Sequence, residues 1–360
     1  LFAGFAYQEN TTDLVARVLA QATYNQYQRN SFGDQTLFDL NSSAVWTISP
    51  QRFFWTLEHT ARQALIDSTS ADTPTNRTTV NVLSTGPDVS LRLAPVHTLT
   101  FGARVGDVYT GRVNADNKRF NGSAGWLYQL SSVTALSLNY QILDVRFDDT
   151  TFYNDYTRQD FFFRARYQPS LSQYLLDLGT TSLSYDRGND RRGTLARLSW
   201  SRELTPQSAF GAFLNREFSD TGSAVLAATP PVELSQTVAT GDAYETKGGS
   251  VFYNRRGNRI GMQFQAGRDV RDFATTPQDR KEANGRLQID YFLSAVSTVT
   301  LFAYHTRSEY TDLVRRDTIQ NLGLRFDHRL TRTVSLGLEG RRNERARRFD
   351  QQIFGFNGGA

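Results

Sequence analysis

The sequence predicts an all-β fold: a transmembrane, antiparallel up-and-down β-barrel of about 18 strands, with 16 or 20 as alternatives. Three observations predict it. A seven-residue turn motif recurs at Leu93–Leu99, Leu130–Leu136, Leu204–Phe210, Leu293–Val299 and Leu330–Leu336, with looser copies at Ile48–Phe54 and Gln168–Tyr174 and a degenerate turn at Arg255–Asn258. Most copies start about 37 residues apart, the period of a repeated strand–turn–strand unit. Between the turns run long segments of alternating apolar and polar residues. No stretch approaches the ~18 consecutive apolar residues of a membrane helix.

The alternation is clear from the start of the chain. Residues 1–7 place Leu1, Ala3, Phe5 and Tyr7 on one face, so residues 1–12 are expected to be an extra strand or a periplasmic lead-in. Residues 14–24 set Leu14, Ala16, Val18, Ala20, Ala22 and Tyr24 against Arg17 and Gln21. Residues 120–130 set Phe120, Ala124, Trp126, Tyr128 and Leu130 against Asn121, Ser123 and Gln129. Residues 161–167 set Phe161, Phe163, Ala165 and Tyr167 against Arg164 and Arg166. Residues 283–293 and 322–330 repeat the pattern around Leu287 and Ile289, and around Leu322, Leu324 and Phe326. Similar segments lie at 36–48, 52–64, 77–94, 97–109, 134–147, 172–187, 191–203, 207–218, 242–255, 258–269, 297–310, 333–343 and 349–360. The segment 349–360 is expected to be the closing strand. It lacks a terminal aromatic, which points to trimming of a few residues.

Length separates this pattern from a soluble β-sandwich. Ordinary strands run ~5–6 residues. A tilted membrane strand needs ~9–11. The polar connections at 27–36, 64–77, 109–117, 147–155, 219–242, 269–281 and 308–317 all fall at the end opposite the short turns. That asymmetry makes them extracellular and the short turns periplasmic, in a bacterial outer membrane. The whole chain, 1–360, is expected to be a single barrel domain, with 219–242 as a long extracellular loop.

Composition agrees. Charged residues are 21% and the mean hydropathy is −0.48, as expected when only alternate residues meet lipid. The 25 Phe and 16 Tyr suit strands. Trp46, Phe53, Trp55, Tyr109, Trp126, Tyr128, Tyr167, Tyr174, Tyr185 and Trp200 lie near strand ends, where interfacial girdles form. The absence of cysteine excludes disulfides and thiolate metal sites. Lacking an initiator Met and a signal-peptide core, the chain reads as a mature one.

The faces opposite the apolar ones are expected to line a water-filled lumen. They carry Arg17, Arg62, Arg92, Arg104, Arg164, Arg166, Arg197, Arg286, Arg325, Arg329 and Arg341, with fewer acids, among them Glu58 and Asp290. Many of these charges are expected to pair across strands. Collectively a basic lining attracts anions and repels cations. Runs at Arg315-Arg316, Arg341-Arg342 and Arg345 to Arg348 are candidates for contact with lipopolysaccharide or an acidic polymer, the last two flanking an expected outer loop. No nucleic-acid motif accompanies them. The four histidines, His59, His97, His305 and His328, have no metal-binding spacing. No nucleophile elbow or phosphate-binding loop appears. The expectation is a non-enzyme without cofactor.

The texture of Tyr24-Asn25-Gln26-Tyr27, of Leu40 to Phe54, of Ser84 to Leu99 and of the charged end Arg341 to Phe349 resembles a family of porin-like outer-membrane β-barrels encoded beside exopolysaccharide and exosortase (PEP-CTERM) systems. The chain's start and end depart from that family's pattern, which leaves the strand number open. The resemblance implies an outer-membrane pore for export of an exopolysaccharide, working with a periplasmic export apparatus. It supplies no catalytic residue. From the residues themselves, two other functions stand beside it: a general or anion-preferring diffusion porin for small solutes, and a structural barrel that sheathes or anchors a partner protein. The outer-membrane lipid, lipopolysaccharide included, is the expected surrounding partner.

Overall fold

A computed structural model describes residues 2–26, 33–68, 70, 73–227, 238–274, 276, 278–311, 315–331 and 335–349. It is an all-β structure of eighteen antiparallel strands running up and down in chain order. They are β1 (Phe2–Asn10), β2 (Leu14–Asn25), β3 (Gln35–Ser49), β4 (Phe53–Leu65), β5 (Arg77–Ala94), β6 (His97–Tyr109), β7 (Asn117–Gln129), β8 (Thr134–Phe147), β9 (Tyr156–Tyr167), β10 (Ser172–Tyr185), β11 (Arg191–Thr205), β12 (Ser208–Ser219), β13 (Tyr244–Arg256), β14 (Ile260–Phe273), β15 (Arg280–Phe292), β16 (Ser297–Tyr310), β17 (Arg315–Arg329) and β18 (Ser335–Phe349). One short helix, α1 (Thr221–Ala227), follows β12. No helix among the described residues is long and apolar enough to cross a membrane.

The count of eighteen is reached by a different route from the sequence reading. Residues Phe2–Asn10 are a wall strand, paired with β2 from Phe2 opposite Thr23 to Asn10 opposite Val15. The expected strand at 349–360 lies, apart from its first residue, outside the described residues. The expected outer loop between 343 and 349 is absent: β18 runs unbroken through Arg341–Arg348. Strands β14, β16 and β17 likewise extend into the expected loops 269–281 and 308–317. These segments read as loops because both of their faces are polar. They are strands that continue past the apolar band.

The recurring turn motif has a local cause. In Leu130-Ser131-Ser132-Val133 the Ser131 hydroxyl accepts from the N–H groups of Val133 and Thr134, and Leu130 N–H donates to Thr134 O. Leu293-Ser294-Ala295-Val296 repeats it, with Ser294 Oγ accepting from Val296 N–H and Leu293 N–H donating to Ser297 O. A serine hydroxyl that caps a backbone N–H two residues on closes the turn without glycine. The turns are also tied to their neighbours: Gln129 N–H donates to Val96 O and Arg329 N–H to Val296 O, both at 2.8 Å. The motif leucines Leu93, Leu130, Leu204, Leu293 and Leu330 stay exposed beside these turns.

Two compact units can be distinguished. The first comprises residues 1–165, 177–195 and 217–244; the second comprises 166–176, 196–216 and 245–360. In the first unit one sheet face carries the exposed Trp46, Trp55, Phe101, Phe120 and Trp126. In the second the corresponding face carries Leu301, Leu322, Leu324, Leu336 and Leu338. Aromatic rings gather at the turn end of each. His97 stacks on Trp126 and Tyr128 in the first, and Tyr174 lies between Tyr167 and Trp200 in the second. A belt of exposed aromatics bordering an apolar band is the mark of a membrane interface.

Candidate functional site

Directly opposed residues of an antiparallel pair share a face. In the first unit, the registers run Arg17–Ser43–Glu58–Ser84–Gly106–Arg119 across β2 to β7, one row on the face opposite the aromatics. The same face carries Arg62, which is buried and interacts electrostatically with Asp39. Arg104 pairs with Asp88 at 2.5 Å and donates to Pro87 O at 2.9 Å. Arg164 grips Asp177 with two bonds, at 2.7 and 2.8 Å. Arg92 folds back onto Pro95 O in its turn. The polar face here is close to charge-balanced.

The second unit differs. Arg197 lies opposite Asn215, and Arg166 is exposed beside the turn after β9. On the polar face of β15 to β18, eight arginines stand against five carboxylates. They descend in layers. Near the loop end Arg315 and Arg345 each reach Asp317 at 2.5 Å, with Arg347 at 4.0 Å. Midway, Arg286 donates to Gln288, and Gln288 and Thr300 donate to Asp290. Arg341 pairs with Glu339 and lies 5.5 Å from the centre of the Phe302 ring. Toward the turns Arg325 pairs with Asp327 at 2.7 Å, and Arg329 donates to Ala295 O. Every sequence-selected residue is therefore in a strand, and those with a described register share the polar face of their unit.

The sequence reading missed three things. Apart from Arg341, the arginine runs read as continuous clusters along the chain. Strand alternation splits them: Arg315, Arg341, Arg345 and Arg347 join the polar face, while Arg316, Arg342 and Arg348 project from the apolar one. Tyr185 is expected in an interfacial girdle. Instead Tyr185 packs against a buried cluster of Leu143, Val145, Phe147, Tyr156, Leu183 and Phe218 in the first unit, with the Tyr156 ring 5.8 Å away. Leu143, Val145 and Phe147 have polar-face parity, opposite Asn121, Arg119 and Asn117. At the loop end the polar face turns apolar, so girdle parity no longer holds.

The third is what covers that apolar patch. The segment after β12 returns to the polar face of β4 to β8 instead of extending as a simple loop. Val225 and Ala239 pack with Ala64, Val80, Val82 and Val108. Val238 forms a parallel bridge with Leu65, and Ala239 N–H donates to Leu65 O at 2.8 Å. Thr221 Oγ1 donates toward the carbonyls of Val238 and Thr240 and ties the two ends of the segment together. Asp220 Oδ1 meets Arg119 Nη1 at 2.6 Å, both side chains at most a tenth exposed. The carboxylate also accepts from Ser223 N–H and Oγ, which caps α1. Burial alone would raise the Asp220 pKa, but Arg119 and Ser223 outweigh it and hold it at about 2. Gly222 sits so close to Arg119 that a Cβ there would lie 2.6 Å from the guanidinium carbon. Residues 228–237 of the expected loop lie outside the described ones.

No family model matches the chain, and no curated protein matches it. Solved structures do. The FrpB iron transporter from Neisseria meningitidis (F5-1 variant) is 11% identical with a TM-score of 0.50, over 94% of this chain and 69% of that one. The copper transporter OprC is 9% identical at 0.48, over 94% and 69%. The siderophore receptor PiuA from Acinetobacter baumannii is 9% identical at 0.41, over 97% and 74%. Identities this low speak to fold alone, and the first match carries it. With its long alternating strands, aromatic belts and short turns, the chain is a β-barrel of the bacterial outer membrane.

Proposed function

We propose that the protein is an outer-membrane passage that prefers anions. The observation that carries this reading is the excess of arginine over carboxylate on the polar face of β15 to β18. In a membrane barrel the polar face meets water inside. Fixed positive charge along a narrow aqueous path raises the local anion concentration. Pairing matters as much as charge. Arg325, Arg341 and Arg315 each have a carboxylate beside them, so no single site binds an anion tightly enough to stall it. The segment docked on the polar face of β4 to β8 occupies space in front of that face, which favours small solutes.

Export of an acidic exopolysaccharide is the second reading. Weak arginine sites repeated at successive depths of one face suit a polymer that passes residue by residue. The resemblance to polymer-associated barrels supports it. Likeness to metal transporters adds no cargo, since it concerns the fold.

The test is single-channel recording in a planar bilayer under a salt gradient. An anion-to-cation permeability ratio above one is expected. Cation preference, or no conductance at all, would sink the reading. Adding acidic oligosaccharides of increasing length separates the two cargoes: block that grows with chain length supports polymer export, and length-independent passage supports the small-solute reading.

A further inference from the structure

On the apolar face of β15 to β18, the rows are ordered by depth. Tyr291, Val299, Phe326 and Leu338 align near the turns, and Ile289, Leu301 and Leu324 follow one row up. Further toward the loops the face becomes charged. Arg307 lies in one row, and Lys281, Glu309, Arg316 and Arg348 form the next. From Tyr291 to Lys281 along β15, at ~3.3 Å per residue and a tilt of about 40°, is about 25 Å along the membrane normal. That matches the height of a barrel's apolar band, ~25 Å. The charged rows therefore sit at the outer interface, facing lipid.

The charges there do not cancel. In these rows four cations, Lys281, Arg307, Arg316 and Arg348, share the face with one acid, Glu309; the Arg342–Glu344 pair lies lower, level with Leu322 and Gln320. Glu309 is engaged by both Arg307, at 2.7 Å, and Arg316, at 3.1 Å, and Glu344 by Arg342. Lys281 and Arg348 make no ion pair among the described residues, and both are exposed. Arg348 stands directly opposite Arg316. Like charges placed directly opposite on one sheet face destabilise the pair. An anion held between them removes that cost.

We infer that this patch is a binding site for the phosphate groups of lipopolysaccharide in the outer leaflet. Arg316 and Arg348 clamp one phosphate and Lys281 approaches it from the far side of Glu309. Arginine suits the role because its guanidinium forms paired bonds to phosphate oxygens. The apolar rows below, with Leu301, Leu324 and Leu338 exposed, accept the acyl chains of the same molecule. The site faces lipid, so its occupancy is independent of whether the passage prefers anions.

Native mass spectrometry of the purified protein in detergent, titrated with bisphosphorylated lipid A, tests it. The wild type is expected to retain one lipid A. Dephosphorylated lipid A should bind far more weakly, and millimolar inorganic phosphate should not displace the lipid. Lys281→Gln, Arg316→Gln and Arg348→Gln should each weaken binding about five-fold, and the triple variant on the order of a hundred-fold. Retained heat-modifiable gel mobility shows that a variant is folded, and the single variants keep the test alive if the triple one is not. Equal lipid A binding by folded variants and wild type would overturn the site. So would equal binding of dephosphorylated lipid, or displacement by free phosphate. Single-channel conductance of the variants should match wild type.

Discussion

Asp220→Asn is the most discriminating change in this molecule. It removes one charge from the docked segment and leaves its shape intact. Asn caps a helix as well as Asp, so the bond from Ser223 N–H at the start of α1 is kept. Arg119 loses its carboxylate while a tenth exposed and, among the described residues, keeps only its bond to Asn117 Oδ1. Breaking one side of a buried ion pair costs ~3–5 kcal/mol. The apolar contacts that hold the segment are of comparable size: burying a valine such as Val225 or Val238 contributes ~1.5–3 kcal/mol. Loss of the pair therefore removes a large share of the docking energy and raises the undocked population by roughly thirty-fold or more. Hydrogen exchange read on peptides covering 218–227 measures it directly. Protection there should collapse in the variant, while the strands Asn117–Gln129 and Thr134–Phe147 keep theirs. A fall in protection of less than ten-fold would refute the argument that Arg119–Asp220 is the anchor. Asp220→Ala should add about 1 kcal/mol from the lost cap.

Further outcomes follow from the same geometry. Acid should release the segment: Asp220 titrates at about 2 when docked and near its ordinary 3.8 when free, so its contribution, about 2 kcal/mol, is present above pH 4 and lost as pH falls toward 2. Exchange of 218–227 against pH reads this, and Asp220→Asn should flatten the profile. Gly222→Val should undock the segment as Asp220→Asn does, because its side chain would displace the Arg119 guanidinium; conductance should rise if the segment narrows the passage. Arg325→Gln with Arg341→Gln should lower the anion-to-cation permeability ratio, leaving Asp327 and Glu339 without these partners. Asp317→Asn should do the reverse and raise it. It should also cost several kcal/mol of stability, since Arg315 and Arg345 lose a shared buried carboxylate, readable as earlier heat modification on gels.

Much of this was legible in the chain because a strand's side chains alternate with a period of two. Period, turn motif and length together determined an up-and-down membrane barrel. Parity alone put Arg17, Glu58, Arg104, Arg286, Asp290, Arg325 and Arg341 on the polar face. Alternation also contains the split of Arg315 from Arg316 and Arg341 from Arg342, although polarity on both sides disguised that stretch as a loop. Tertiary structure decided the rest. Val80, Val82, Val108 and Val145 have the same parity as the polar-face arginines, and nothing local shows that an apolar patch on a polar face will be covered. The cover over the first three comes from Val225 and Ala239, more than a hundred residues further along the chain, and Val145 shares a buried cluster with Phe218 and Ala243. Pairing of distant charges and burial of distant valines depend on where a segment returns in space, and the period of a strand carries no information about that.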